Sequence, residues 1–256
     1  MRSRLHRFSR AELLIGTAGL EALRRSHVMV CGIGGVGSYA AEALGRAGVG
    51  TITLVDFDDI CLTNLNRQIH ALSSTVGRSK VEVMAERLRD INPEVNIFPA
   101  KEFFSAENAV RLLDPAPAYV LDAIDHFTAK TALITACRER GIPVISSMGA
   151  ANKLDPTKIH VDDISATRSC RMARSMRKML RQRGIEGGVQ VVYSTEEHRP
   201  LDPRAAHCAS DCICPNRGEQ LFSCEHRRVI LGSISYIPSI FGLTMAGVVV
   251  NALAGR

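Results

Sequence analysis

Val28-Met29-Val30-Cys31-Gly32-Ile33-Gly34-Gly35-Val36-Gly37-Ser38 is the stretch on which the fold turns. Val28 to Cys31 is a short apolar run of the kind a buried strand makes. The next six residues match G-x-G-x-x-G at Gly32, Gly34 and Gly37, with Gly35 as an additional glycine. Ser38 to Ala47 is rich in Ala and Leu and predicts a helix. Strand, glycine turn and helix in that order form the start of a dinucleotide-type βαβ unit. Residues without side chains let the backbone approach a phosphate, and the helix N-terminus stabilises its charge. Thr51 to Val55 predicts the second strand. Asp56 ends it, 19 residues after Gly37, where a carboxylate can accept hydrogen bonds from ribose hydroxyls. A tight structural turn without ligand is the alternative.

Outward from this unit, strand and helix signals alternate. Val81, Met84, Leu88 and Ile91 recur at helical spacing until Pro93 stops them. Val95–Phe98, Tyr119–Asp122 and Val144–Ser147 predict strands, with helices near 106–113 and 128–140 between them. Such alternation implies right-handed βαβ units, so the predicted fold class is α/β: a Rossmann-like, doubly wound, mainly parallel sheet. Ahead of it, Ser9-x-x-Glu12 has the form of a capping box opening a short helix, and a second helical stretch contains Leu20 and Leu23. The reading divides the chain into an ATP-binding adenylation region over 1–165 and a cysteine- and arginine-rich extension over 166–256, within one globular unit.

The segment after the second strand separates nucleotide classes. Asp56-Phe57-Asp58-Asp59 is followed by Asn64-Leu65-Asn66-Arg67-Gln68, then by Lys80 at the start of a helix. A nicotinamide dinucleotide presents a pyrophosphate that the glycine turn can largely hold, whereas a triphosphate needs further cations. Arg67 and Lys80 supply them. Lys80 opposes the dipole of its own helix, which costs a few tenths of a kcal/mol without an anion nearby. Asp122-Ala123-Ile124-Asp125 ends the fourth strand near the switch point where open α/β sheets bind ligands. Asp125 suits magnesium, which takes one or two carboxylates plus phosphate oxygens. Each residue alone reads as a surface charge or a cap; together they favour ATP over NAD, with a redox enzyme or nucleotide-sensing regulator as the alternative.

The combined motifs resemble the ubiquitin-activating-enzyme superfamily: G-x-G-G-V-G-S at 32–38, LVDFD at 54–58, N-L-N-R-Q at 64–68, VG-x-x-K at 76–80 and DAID at 122–125. Members adenylate a carboxylate with ATP and magnesium. The resemblance implies that Gly32, Gly34, Gly35, Gly37, Asp56 and Asp58 line the nucleotide, with Asp56 on the ribose. It implies phosphate contacts from Asn64, Arg67, Gln68 and Lys80, and magnesium on Asp125. Arg10 matches an arginine that such dimers send into the partner's site, which implies a homodimer; locally Arg10 reads equally as a residue in the first turn of its helix.

Within the superfamily the chain is most similar to the tRNA threonylcarbamoyladenosine dehydratases, through the DAID segment, the single short chain and Tyr236-x-Pro238-Ser239-x-x-Gly242. That branch implies ATP-dependent cyclisation of a modified adenosine in tRNA. The threonyl carboxylate attacks the α-phosphate, and an atom of the substrate's own carbamoyl group then displaces AMP. Arg67, Lys80, Asp125 and Arg10 carry the catalysis in this reading, and no enzyme nucleophile is required. Adenylation of the C-terminal glycine of a ubiquitin-like sulfur carrier is the second reading, with sulfur-transfer proteins as partners.

Arg168, Arg171, Arg174, Arg177, Lys178, Arg181 and Arg183 fall within 16 residues, and no acidic residue lies between Asp163 and Glu186. As a helix, Arg171, Arg174, Lys178 and Arg181 share one face and Met172, Met176, Met179 and Leu180 the other. The Met stripe docks the helix; the basic face is either simply solvated or contacts the tRNA backbone. Cys208, Cys212, Cys214 and Cys224, flanked by His207 and His226, suit a structural zinc, an iron–sulfur centre or free thiols. Separated C-x-x-C pairs, as in sulfur-carrier-activating relatives, are absent. Cys31, Cys61, Cys137 and Cys170 read as small apolar residues in strands and helices.

Composition sets the outer bounds. The chain has 256 residues, 46% of them hydrophobic and 23% charged, and a net charge of +6. That apolar share excludes a disordered chain, and the charge is compatible with an anionic partner. No convincing secretory signal begins the chain, and the clean apolar part of Val229–Leu253 is only about 15 residues, short of a membrane span. Eight cysteines without such a signal point to a reducing cytoplasm.

Overall fold

The computed structural model describes residues 5–197 and 231–256. Seven strands form one sheet in the order β3-β2-β1-β4-β5-β7-β6. They are β1 (His27–Cys31), β2 (Thr51–Val55), β3 (Asn96–Ala100), β4 (Tyr119–Asp122), β5 (Val144–Ser147), β6 (Ile159–Asp163) and β7 (Gln190–Ser194). All neighbours are parallel except β6, which runs antiparallel to β7 at the edge. The strand order reverses between β1 and β4, the switch point of a Rossmann-like doubly wound sheet. Strands buried on both faces read as continuous apolar runs, and β1, β2, β4 and β5 do so at the expected positions.

Seven helices accompany them: α1 (Ser9–Arg25), α2 (Gly37–Ala47), α3 (Lys80–Ile91), α4 (Ala109–Leu112), α5 (Phe127–Glu139), α6 (Arg171–Arg181) and α7 (Tyr236–Leu253). On one face of the sheet, Leu44, Met84, Leu88, Phe241, Met245 and Val249 bury against Val28, Val30, Ile52 and Leu54. On the other, Leu133, Ile134, Cys137, Met176 and Leu180 bury against Met29, Val120, Val144 and Val191. Residues on both sides of position 165 therefore contribute to one sheet.

Several local expectations need correction. The Ser9–Glu12 capping box does not form: Ser9 Oγ accepts from His6 N at 2.8 Å, while Glu12 takes the His6 ring and the Thr17 hydroxyl. Gly16, at φ +74°, interrupts α1 and divides it into the two helical stretches expected. The helix expected at 106–113 shrinks to one turn. Asn108 instead spends its side chain on the loop before it, accepting from Ser105 N and donating to Phe103 O. The β3 strand runs on to Ala100; Pro99 is tolerated because β3 is an edge. Beyond Val144–Ser147 no strand is expected, yet β7 inserts between β5 and β6. Cys61 lies in a loop ahead of a 3-10 turn rather than in a strand or helix.

At 18 residues α7 is longer than its clean apolar core suggests, and among the described helices it alone is long and apolar enough to cross a membrane. It packs on α2. A β-carbon on Gly242 would lie 2.2 Å from Val36 O, so the two helices touch backbone to backbone. Gly242→Ala must push them apart. Overpacking of this kind costs about 1–3 kcal/mol, and the urea midpoint should fall accordingly with little change in slope.

Candidate active site

The glycine turn is shaped by contacts that exclude side chains. At Gly37 a β-carbon would lie 1.7 Å from Gly32 O; at Gly32, which has φ +87°, it would meet Ala123 O at 2.7 Å. Gly35 packs under Pro238 Cβ, 3.0 Å from where a β-carbon would sit, and beside Arg67 Cγ, at 3.3 Å. Its glycine thus serves the fit of α7 and Arg67. Gly34 differs. The nearest atom to a β-carbon there would be Gln68 Nε2 at 3.9 Å, so this face of the turn is open. Gln68 Oε1, beside it, is buried without a hydrogen-bond partner among the described residues. A cradle open at Gly34, with a buried amide oxygen unspent, fits a polar ligand on the turn.

Asp56 is buried at the end of β2. Its Oδ2 accepts from Ile33 N at 2.6 Å and its Oδ1 from Asp58 N at 2.9 Å. A carboxylate has about four lone-pair sites, so bonds to the turn leave capacity for ribose hydroxyls. Burial pushes its pKa up, against the pull of the Lys80 cation.

Lys80 is brought to Asp58 by a short backbone pairing. Ile60 N donates to Arg78 O, Lys80 N to Asp58 O, and Asp59 bridges Ser79. Lys80 is the first residue of α3, as expected, and its Nζ lies 2.7 Å from Asp58 Oδ2. Burial works against its charge, but Asp56, Asp58 and Asp125 outweigh it and hold its pKa above the ordinary lysine value. The cation that opposes its own helix dipole is therefore held by carboxylates.

Asn64 caps its own loop, its Oδ1 accepting from Cys61 N at 3.1 Å. Arg67 Nη1 donates to Thr63 O and to Asn66 Oδ1. Ser38 Oγ accepts from Ile69 N at 3.4 Å, and Asn66 Nδ2 donates to Ser233 O. This loop is thereby tied to α2 on one side and to the approach to α7 on the other. Asp125 is exposed just beyond β4. The structure thus gathers Asp56, Asp58, Lys80 and Asp125 at one carboxyl edge, with Gly34 beside Gln68 and Gly35 beside Arg67.

Arg10 sits exposed in the first turn of α1, and no hydrogen bond or ion pair joins it to these residues. On α6, Arg171, Arg174, Lys178 and Arg181 are exposed, while Ala173, Met176 and Leu180 are buried and Met172 and Met179 half-buried, so the helix docks by its Met stripe. Arg177 instead serves the chain, its guanidinium reaching Ile164 O, Thr167 O and Thr167 Oγ1. Cys208, Cys212, Cys214 and Cys224 lie outside the described residues. Cys31 and Cys137 are buried; burial pushes both thiols up, Cys137 to about 12, which leaves them protonated and poor nucleophiles.

Two buried groups were not singled out in the sequence. Lys130 is fully buried on α5, its Nζ 2.7 Å from Asp122 Oδ2 and 3.1 Å from Ser146 Oγ. His70 is buried with neither ring nitrogen hydrogen-bonded among the described residues. Neither has a motif to mark it.

The fold and the gathered residues define a nucleotide-binding α/β domain, and the chain belongs to the ThiF family, whose model matches residues 8–256. It is 46% identical to the tRNA threonylcarbamoyladenosine dehydratase of Bacillus subtilis, over 97% of this chain and 95% of that protein. The crystal structure of the Escherichia coli tRNA N6-threonylcarbamoyladenosine dehydratase in complex with ATP superposes with a TM-score of 0.82 at 35% identity, covering 97% of this chain and 94% of that one. The molybdopterin-synthase adenylyltransferase of Salmonella typhimurium is 36% identical over 58% of this chain and 59% of its own.

Burial, followed by the cations of Lys80 and Arg87, lowers the His70 pKa to about 3. An unfolded histidine titrates near 6.5, so below that pH the unfolded chain takes up a proton that the folded one refuses. Stability should fall by about 1.4 kcal/mol per pH unit below roughly 6.5, until the folded value is reached. His70→Leu should remove that slope. Urea midpoints of both proteins at pH 7 and pH 5 measure it.

Proposed function

We propose that this protein uses ATP to dehydrate tRNA threonylcarbamoyladenosine to its cyclic form. The observation that carries this reading is the extent of the similarity. Likeness to a dehydratase runs over 97% of the chain, whereas likeness to a molybdopterin-synthase adenylyltransferase covers 58%. The site supports it with a glycine cradle open at Gly34, an unspent Gln68 oxygen and a buried lysine.

In this reading the triphosphate lies along the glycine turn at the N-terminus of α2, with the ribose at Asp56. Lys80 and Arg67 offset charge that builds on the phosphates as the threonyl carboxylate attacks. The ring-closing atom belongs to the same substrate, so closure avoids the entropy of a bimolecular encounter. Pyrophosphate leaves in the first step and AMP in the second. Magnesium would be held by Asp125 together with phosphate oxygens and would neutralise phosphate charge. The donor set fits: Asp125 offers an exposed carboxylate just beyond β4, and this ion commonly takes one or two carboxylates and completes its shell with phosphate and water.

The exposed face of α6 orients the tRNA through its phosphates, giving affinity rather than base identity. The exposed Leu13 and Leu14 on α1, beside a cavity lined by Ala11, Leu14, Ile15, Ala47 and Val250, support a homodimer, in which Arg10 on the same helix would be the residue donated to the partner. The enzyme works with tRNA in the cytoplasm.

Incubation with ATP, magnesium and tRNA bearing the modified nucleoside should yield the cyclic product and AMP, read by mass spectrometry. Unchanged nucleoside beside an active control enzyme would remove the reading. Arg67→Ala and Asp125→Asn should abolish the reaction while leaving the circular dichroism spectrum unchanged.

Removal of the four charges at Arg171, Arg174, Lys178 and Arg181 should weaken tRNA binding. It should also flatten the slope of log K against log salt by about 3 to 4, if each side chain contacts one phosphate. Unchanged tRNA affinity would show that this face is merely solvated.

A further inference from the structure

The DAID segment is held from two sides. On one, Ala123 N donates to Cys31 O at 2.8 Å, and the Ala123 carbonyl lies so close to Gly32 that no side chain fits between them. On the other, Asp122 accepts three donors: Ile124 N at 3.1 Å on Oδ1, and Lys130 Nζ at 2.7 Å and Ser146 Oγ at 2.6 Å on Oδ2. The side chains of Lys130 and Asp122 are both fully buried. Such a pair is a poor device for stability alone, because desolvating two charges offsets much of their attraction and apolar residues of similar volume often do as well. What the pair does here is hold the Asp122 side chain in place under the backbone that leads to Asp125.

We propose that Asp122 is a positioning residue for the nucleotide site: held by Lys130 and Ser146, it keeps Ala123–Asp125 against the glycine turn and sets where Asp125 meets the phosphates. The proposal rests on the ATP reading above. Lys130 touches no substrate. Its Nζ holds the Asp122 carboxylate, Asp122 holds Ile124 N, and the next residue, Asp125, carries the carboxylate that the ATP reading assigns to magnesium.

Two double variants separate positioning from plain stability, both without a buried charge. Asp122→Asn/Lys130→Met keeps an oxygen that can accept from Ile124 N; Asp122→Leu/Lys130→Met keeps volume and removes the acceptor. The measurement is ATP affinity by calorimetry, with magnesium and with EDTA, alongside the melting temperature of each protein. The Asn–Met variant should keep the magnesium-dependent gain in ATP affinity within about threefold of the starting protein. The Leu–Met variant should lose about tenfold of it, the order expected from one lost hydrogen bond, while its affinity in EDTA changes less. Equal gains in the two variants, or losses equal with and without magnesium, would overturn the positioning role. Failure of the unaltered protein to bind ATP would overturn the nucleotide reading itself, and this inference with it.

Discussion

Between Gly32 and Gly37 the chain turns so tightly that the α-carbon of one glycine rests on the carbonyl of the other. That closure starts α2 directly beneath the ends of the central strands. It also leaves Ile33 N facing the end of β2, where Asp56 receives it. On the opposite side the same turn lets the backbone after β4 come into contact with Gly32. The ends of β1, β2 and β4 are thus joined by main-chain bonds, with the Asp56 carboxylate closing the turn onto β2. A pocket floor made this way has few rotamers to lose when a ligand arrives, which favours binding through lower ordering cost.

Around this floor the charges are arranged in layers of differing exposure. Lys80 is buried among carboxylates, Asp125 stands at the rim, and the basic face of α6 is fully in water. Coulomb interactions strengthen as water is excluded. The buried lysine is therefore suited to act on a reacting phosphate, and the exposed arginines to draw in a large polyanion whose grip varies with salt. In the proposed reading, chemistry and capture are separated by depth.

Most strands of the nucleotide half were legible because short apolar or β-branched runs beside Gly, Pro or Asp mark them, and β2, β4 and β5 fall at the expected residues. Asp56, Lys80 and Asp125 were legible because a motif fixes their place relative to the glycine turn. By contrast, β7 was hidden: its run Val189 to Tyr193 follows so many arginines that the segment read as irregular. The Ser9–Glu12 pattern misled because a competing local partner, His6, took both side chains. Lys130 and His70 escaped notice for a further reason. Burial of a polar group is decided by what packs around it from distant parts of the chain, and local spacing does not carry that information.

The seam between α2 and α7 joins residues near position 40 to residues near 242. Ribosomes release a chain from its N-terminus onward, so the central strands and α2 emerge long before their cover does. Until α7 is complete, the part of the sheet face covered by Phe241, Met245 and Val249 lies open. Partly made chains with such an open face are prone to self-association and are natural clients of chaperones. Final assembly of the nucleotide floor, which Pro238 overhangs at Gly35, thereby waits for α7.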